Sequence, residues 1–378
     1  IISEETLRTI SFFVRGVIRP PLLIVGLVTN VINIAVFLRL GLRDGLSICF
    51  FLLSLIDLLC VMLMIPTDCF YLFSAYLPVS WRTDGASLNL IIGYYYAFAY
   101  DISQAVTTYI AVQKCCCVAL PFRFKHTFTR SRTVVVVSAL SVICFALYLP
   151  LLTSQGLHEA DDPFRNTSVL VFWTAPNWSQ VYSARSTIAL VLTTVCQVTV
   201  AVCLVVLASS LRASSNFRKS VHNAPWDLLL SEINKASPEN SDIPSIPSKS
   251  SNEIPLEDYP KPLDGTLQNE RREHTSAVKR DPRTVAIPVK TTSRKELQAV
   301  KSATLVSVIF VLCNTPKLLI FYAILCESEF NILRRYNNTY LAAITVRFTV
   351  EAFSAACNMF VYLKYNRRYR ALLTSCAR

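Results

Sequence analysis

The sequence predicts an all-α membrane protein, a bundle of seven membrane-crossing helices followed by a short amphipathic surface helix. Three observations predict it. Of the 378 residues 53% are hydrophobic and 16% charged, with a mean hydropathy of +0.42, far from a soluble globular composition. Seven apolar runs reach the roughly 20 residues a helix needs to cross about 30 Å of hydrocarbon. These runs do not alternate with period two, and a bilayer admits only helices or closed barrels, so strands are not expected.

In chain order, residues 1–19 read as an extracellular N-terminus, and the first run then serves as the insertion signal. The first five runs, near 20–40, 47–73, 88–118, 133–152 and 184–210, lie within 20–213. The second passes through Pro66, a kink position. The third carries Asp101, Ser103, Gln104, Thr107 and Thr108 along its middle. A helix facing lipid on all sides holds so many polar groups only at high cost, so this run is the expected centre of the bundle. Residues 214–296 are rich in Ser, Pro, Asn, Lys and Glu, lack the apolar density for a core, and read as a disordered cytoplasmic loop. The sixth and seventh runs, near 299–326 and 339–363, fall within 297–363. The last segment, 364–378, alternates basic and apolar groups at helical spacing (Lys364, Tyr365, Arg367, Arg368, Tyr369, Arg370) and reads as a helix lying on the inner leaflet. Cys376 just beyond is either a palmitoylation site or a free thiol.

Charge sets the expected orientation. The segments 39–46, 114–133, 211–301 and 364–378 hold 27 of the 37 Lys and Arg, which places them inside and the N-terminus outside once the long loop is discounted. The glycosylation patterns at Asn166, Asn177 and Asn337 all fall in loops on the outer side of that arrangement. The net charge of +12 therefore belongs to the membrane's inner face, and nucleic acid is not an expected partner. Most of the 13 cysteines sit inside apolar runs, and no CxxC pair has zinc spacing, so no metal site is expected. His158-Glu159 lacks the second His of HExxH, and no GxSxG or P-loop occurs, so no enzyme is expected.

Five short motifs, each in its own run and in order, resemble the rhodopsin-like G-protein-coupled receptors. Gly26-Leu-Val-Thr-Asn30 looks like GxxxN, Leu53-Ser-Leu-Ile-Asp57-Leu58 like LxxxDL, and Gln113-Lys114-Cys115 stands where the family has Asp/Glu-Arg-Tyr. Phe310-Val-Leu-Cys313-Asn314-Thr315-Pro316 looks like FxxCWxP, and Asn358-Met359-Phe360-Val361-Tyr362 like NPxxY. The stretch Val36 to Asp44, the triple-Cys run and Cys-Asn-Thr-Pro resemble molluscan and other invertebrate chemosensory receptors and, less closely, invertebrate neuropeptide receptors. The departures are Lys114 for Arg, Gln113 for the acid, Asn314 for Trp, Met359 for Pro, Ser141 near the usual Trp, and a fifth run without proline. Asn89 stands in place of the family's Cys and the loop 153–183 has no cysteine, so that loop is held by other contacts or is mobile. Cys69 and Cys326 are the remaining candidates for an outer disulfide, or are unpaired.

The resemblance implies a receptor that turns binding of an extracellular ligand, a chemosensory cue or a neuropeptide, into activation of a heterotrimeric G protein. It implies a polar cluster of Asn30, Asp57, Ser103, Ser354 and Asn358 that holds either an allosteric Na+ or only water. Asp101, Arg347 and Glu351 are the candidate ligand-binding charges; Arg347 and Glu351 share a helix face, so an internal salt bridge is the alternative. Tyr96 and Tyr100 share a face and either line the pocket or fill the interface. Lys114, Glu296, Asn314, Pro316 and Tyr362 are the coupling residues implied, with a Lys114–Glu296 contact restraining the sixth helix. The competing reading is a seven-helix ligand-gated cation channel of the olfactory type, with its N-terminus inside. A transporter is disfavoured, because no inverted repeat is apparent.

Overall fold

The computed structural model describes residues 2–73, 85–119, 126–162, 167–223, 294–332 and 334–376. Among these residues seven long helices follow one another: α1 Glu4–Leu40, α2 Gly45–Phe73, α3 Gly85–Ala119, α4 Arg130–Thr153, α5 Trp178–Asn223, α6 Arg294–Cys326 and α7 Asn337–Tyr365. A hairpin of β1 Gln155–Asp162 and β2 Thr167–Thr174 joins α4 to α5, and α8 Arg367–Cys376 follows α7. Residues 1–215 and 292–378 form one compact unit; residues 216–291 fall in a second, and most of the loop assigned to 214–296 lies outside the described residues.

Local chemistry explains the helix ends. Ser3 Oγ accepts the Thr6 N–H at 3.1 Å, with Glu4 and Glu5 in the first turn. Asp44 Oδ1 accepts the Ser47 N–H at 2.9 Å where α2 begins. Gly41 closes α1 at φ +78°, a left-handed conformation open to glycine at no steric cost. Residues 4–19, assigned from the sequence to the N-terminal segment, are helical and run into the first apolar run through a π-helical turn at Phe13–Ile18.

Six of the seven helices are long and apolar enough to cross a membrane. The exception is α3, whose 35 residues suffice in length but whose polar middle dilutes its hydropathy. That middle is buried without a break from residue 99 to residue 107, so α3 is enclosed on every side and is the bundle's central helix. Leu23, Val61, Met64, Tyr96, Ala99 and Ala352 pack together toward the end where α1 begins, here termed the N-terminal end. At the opposite, α8 end, Phe37, Phe50, Tyr362 and Tyr369 form one aromatic cluster, with ring centroids 4.7 Å apart for Phe50 and Tyr362 and 5.3 Å for Phe37 and Tyr362.

The hairpin differs from the all-helical expectation. The strand Thr167–Thr174 (TSVLVFWT) is rich in β-branched and aromatic residues, and it lies outside the helical spans, where strand pairing carries no penalty. It also answers what holds this loop in place of a disulfide: the Phe172 N–H donates to Ser87 Oγ at 2.9 Å, and the Phe172 ring stacks on Tyr94 at 6.5 Å and meets Trp178 edge-on at 6.3 Å. Cys69 and Cys326 are both free and exposed, so the outer disulfide considered for them does not form.

Candidate functional site

Midway along α3, Asp101 is almost wholly buried and gathers three donors from three helices. Its Oδ1 accepts from Lys317 Nζ of α6 at 2.6 Å. Its Oδ2 accepts from Tyr148 Oη of α4 at 2.7 Å and from Arg185 Nη2 of α5 at 3.4 Å. Lys317 also donates to Gln104 Oε1 at 3.1 Å and lies over the Tyr100 ring, 5.0 Å from its centroid. Arg185 lies over the Tyr148 ring at 4.2 Å. A buried ion pair survives desolvation only when further hydrogen bonds satisfy its remaining atoms, and these contacts supply them.

A second pair sits beside the first. On α7, Arg347 Nε donates to Glu351 Oε1 at 2.7 Å, and Glu351 Oε2 accepts from Tyr96 Oη at 2.7 Å. Tyr96 stacks on Tyr100 at 5.9 Å. Asn314 of α6 closes the set: its Oδ1 accepts from Tyr100 Oη at 3.0 Å and from Gln104 Nε2, and its own amide donates to the Phe310 carbonyl at 3.2 Å. The two tyrosines thus line a polar interior as well as filling the interface.

Deeper along α3, Ser103 Oγ donates to Asp57 Oδ1 at 2.8 Å and Asn358 Nδ2 donates to Asp57 Oδ2 at 2.7 Å. Asp57, Ser103, Gln104, Ser354, Asn314 and Glu351 line one small cavity together with apolar side chains such as Leu53, Val61 and Phe310, so of the two ion pairs only Glu351 reaches the space beside Asp57. The remaining members of the expected cluster stand apart from Asp57. Asn30 donates to the Gly26 and Ala355 carbonyls at 2.9 and 3.1 Å and ties α1 to α7 instead. Ser354 lines the cavity beside the Cys313 thiol rather than bonding the carboxylate.

Residues 29–362 match the family model described as 7 transmembrane receptor (rhodopsin family). The chain belongs to this family. It is a multi-pass membrane receptor, and the olfactory-type channel reading is set aside. No curated protein matches the chain.

In this rhodopsin-family receptor the three charges singled out from the sequence divide into two groups. Arg347 and Glu351 pair with each other, and Asp101 pairs with Lys317 and Arg185, two cations the sequence reading passed over. Lys317 left a signal: it stands within the apolar stretch that follows Pro316, where a lone cation is costly unless it faces a partner. Arg19 of α1, 3% exposed, was missed as well. It donates to Asp68 Oδ1 at 2.9 Å and to the Thr345 carbonyl at 2.8 Å, joining α1, α2 and α7 at the N-terminal end.

At the α8 end the replaced motif behaves unlike a neighbouring acid–base pair. Gln113 turns away from Lys114, donating to Thr133 Oγ1 of α4 at 3.1 Å and accepting from Cys49 Sγ at 3.9 Å. Lys114 is buried and makes no hydrogen bond or ion pair among the described residues. The side chain of Glu296 lies outside those residues, and with it the expected Lys114–Glu296 contact. Pro316 stands inside α6, next to Lys317. Tyr362 is fully buried, and its hydroxyl finds no partner among the described residues. Tyr369 of α8 reaches back to α1, donating to Asn33 Oδ1 at 2.6 Å. Asn177 is exposed in the turn before α5, Asn337 opens α7, and Asn166 and the Cys376 side chain lie outside the described residues.

Proposed function

We propose that this receptor binds an extracellular ligand, a chemosensory cue or a neuropeptide, among α3, α5, α6 and α7 at its N-terminal end, and passes the event to a heterotrimeric G protein at its α8 end in the plasma membrane. The observation that carries this is the pair of buried ion pairs: Asp101–Lys317 is hydrogen-bonded on through Gln104 to Asn314 and Tyr100, Arg347–Glu351 on to Tyr96, and Glu351, Tyr96, Tyr100, Gln104 and Asn314 line one cavity with Asp57. Buried charges in a membrane are costly, and two pairs joined to one interior form an element whose balance a ligand can shift. Asp57 and the Ser103 hydroxyl bonded to it supply oxygen atoms of the kind that suits Na+, and these residues would hold the ion and lower its electrostatic cost in the bundle. Lys114 presents the coupling cation, and Glu296, by its family position, restrains α6 from the same end. Asn314, Pro316 and Tyr362 complete the coupling set, and a palmitoyl chain on Cys376 would hold α8 at the membrane.

Two measurements test it. Sugars on Asn166, Asn177 or Asn337, with an N-terminal epitope reactive on intact cells, place the N-terminus outside; reactivity only after permeabilisation overturns that orientation. In reconstituted nucleotide exchange, Lys114→Ala abolishes ligand-stimulated exchange and Glu296→Ala raises basal exchange. An unchanged basal level in Glu296→Ala removes the restraint from the mechanism.

A further inference from the structure

We infer that the ligand presents an anionic group, a carboxylate, to Arg185. The inference rests on reading the Asp101 network as the ligand site.

Around Asp101, one carboxylate serves two cations. Lys317 holds Oδ1 at 2.6 Å and the Tyr148 hydroxyl holds Oδ2 at 2.7 Å, leaving Arg185 as the third and most distant donor at 3.4 Å. The Nε of Arg185 is buried and has no hydrogen-bond partner among the described residues. Arg347 offers no relief. Its own charge is matched by Glu351 at 2.7 Å, and it lies within electrostatic reach of both Arg185 and Lys317 as a repelling neighbour. Asp57, another buried acid, takes its hydrogen bonds from Ser103 and Asn358 and forms no ion pair among the described residues.

The excess positive charge therefore resides on Arg185, which lies against a recess lined by Asp101, Tyr148, Ile188, Ala189 and Leu192. Nε and Nη2, the latter reaching Asp101 only at 3.4 Å, lie on one edge of the guanidinium and offer two parallel donors at the spacing of a carboxylate's two oxygens. A cationic ligand would meet the opposite situation. Asp101, its natural partner, is already committed to Lys317, and an ammonium group would have to displace that lysine against the repulsion of Arg185.

A free organic acid and a peptide C-terminus both carry this chemistry, and matched probes separate them. The full-length receptor, purified in detergent, is melted with hexanoate or hexanamide, with N-acetylphenylalanine or its amide, and with hexylamine. An acid that binds at a concentration well above its dissociation constant raises the melting temperature by about 2–4 °C, whereas its amide and hexylamine do not. A shift with hexanoate alone assigns a small acid, and one with N-acetylphenylalanine alone assigns a peptide terminus. Arg185→Gln loses the shift, and Arg185→Lys, which keeps the charge without the fork, retains at most part of it.

Amides acting as well as acids, hexylamine as the sole stabiliser, a full shift in Arg185→Gln, or no shift by any acid in the wild type each overturn the inference. If Arg185→Gln does not fold, Arg185→Lys decides: an undiminished acid preference there removes the two-donor role. Nucleotide exchange on the same preparations keeps the two readings apart. An acid shift without exchange would end the G-protein reading and leave the anion site standing.

Discussion

Asp101 of α3 and Lys317 of α6, 216 residues apart in the chain, meet at 2.6 Å inside the bundle. Removing either partner has unequal consequences. Asp101→Asn leaves Lys317 and Arg185 without their shared carboxylate, whereas Lys317→Met leaves Asp101 with Arg185 and the Tyr148 hydroxyl. Breaking a buried pair costs about 3–5 kcal/mol; Asp101→Asn should lie at the top of that range and Lys317→Met below it. Thermal melting of the purified variants compares them, and equal losses would show that Arg185 does not stand in for the lysine.

Tyr96→Phe deletes the hydroxyl that reaches Glu351 at 2.7 Å. A hydrogen bond to a charged acceptor contributes about 1.5–3 kcal/mol, and a loss of that size is expected. In a double-mutant cycle with Glu351→Gln the penalty of Tyr96→Phe shrinks, because the neutral amide gains less from the phenol. Additive losses would mean the two side chains do not interact in the membrane.

At Gly45, α2 packs tightly against Thr133 of α4. A Cβ there would lie 2.5 Å from Thr133 Oγ1, the atom that accepts from Gln113. Gly45→Ala is expected to cost about 1–3 kcal/mol by overpacking. Adding Thr133→Ala should recover part of the lost melting temperature, although that substitution alone is destabilising. A double variant less stable than Gly45→Ala would refute the close approach.

Tyr369→Phe removes the 2.6 Å bond to Asn33, whose Nδ2 is already buried without a partner among the described residues. An unsatisfied buried amide costs about 1–3 kcal/mol, and the loss falls on the docking of α8 rather than on the whole bundle. Hydrogen exchange should quicken across Arg367–Cys376 and remain unchanged in the middle of α3.

The architecture was legible because apolar runs of bilayer length are a direct physical signal, and because Asp101, Ser103, Gln104 and Thr107 marked one run as enclosed. The partners of those groups were harder to read. Whether Asp101 meets Arg347 or Lys317 depends on the rotation of three helices about their axes, and each helix has polar residues on more than one face. Arg347 and Glu351 could be paired from spacing alone because they lie one turn apart on a single helix. Nothing in the sequence marked Arg185 and Arg19 as buried, since a position in the sequence does not reveal how far a helix projects before it leaves the bundle. The hairpin was missed because attention to membrane-length runs passes over eight-residue strands, although the β-branched and aromatic run from Thr167 to Thr174 marks one of them.

Pro316 and Lys317 are consecutive, so the residue that weakens the α6 backbone adjoins the residue that anchors it to Asp101. That places a latch at a fulcrum. From Lys317 back to Arg294 the helix forms a lever arm of about 35 Å at 1.5 Å per residue. Pivoting by about 10° there would sweep its far tip through about 6 Å, while the lysine itself, close to the pivot, would scarcely travel. Geometric gain of this kind lets the making or breaking of a single short bond register as a displacement large enough for a second protein to sense.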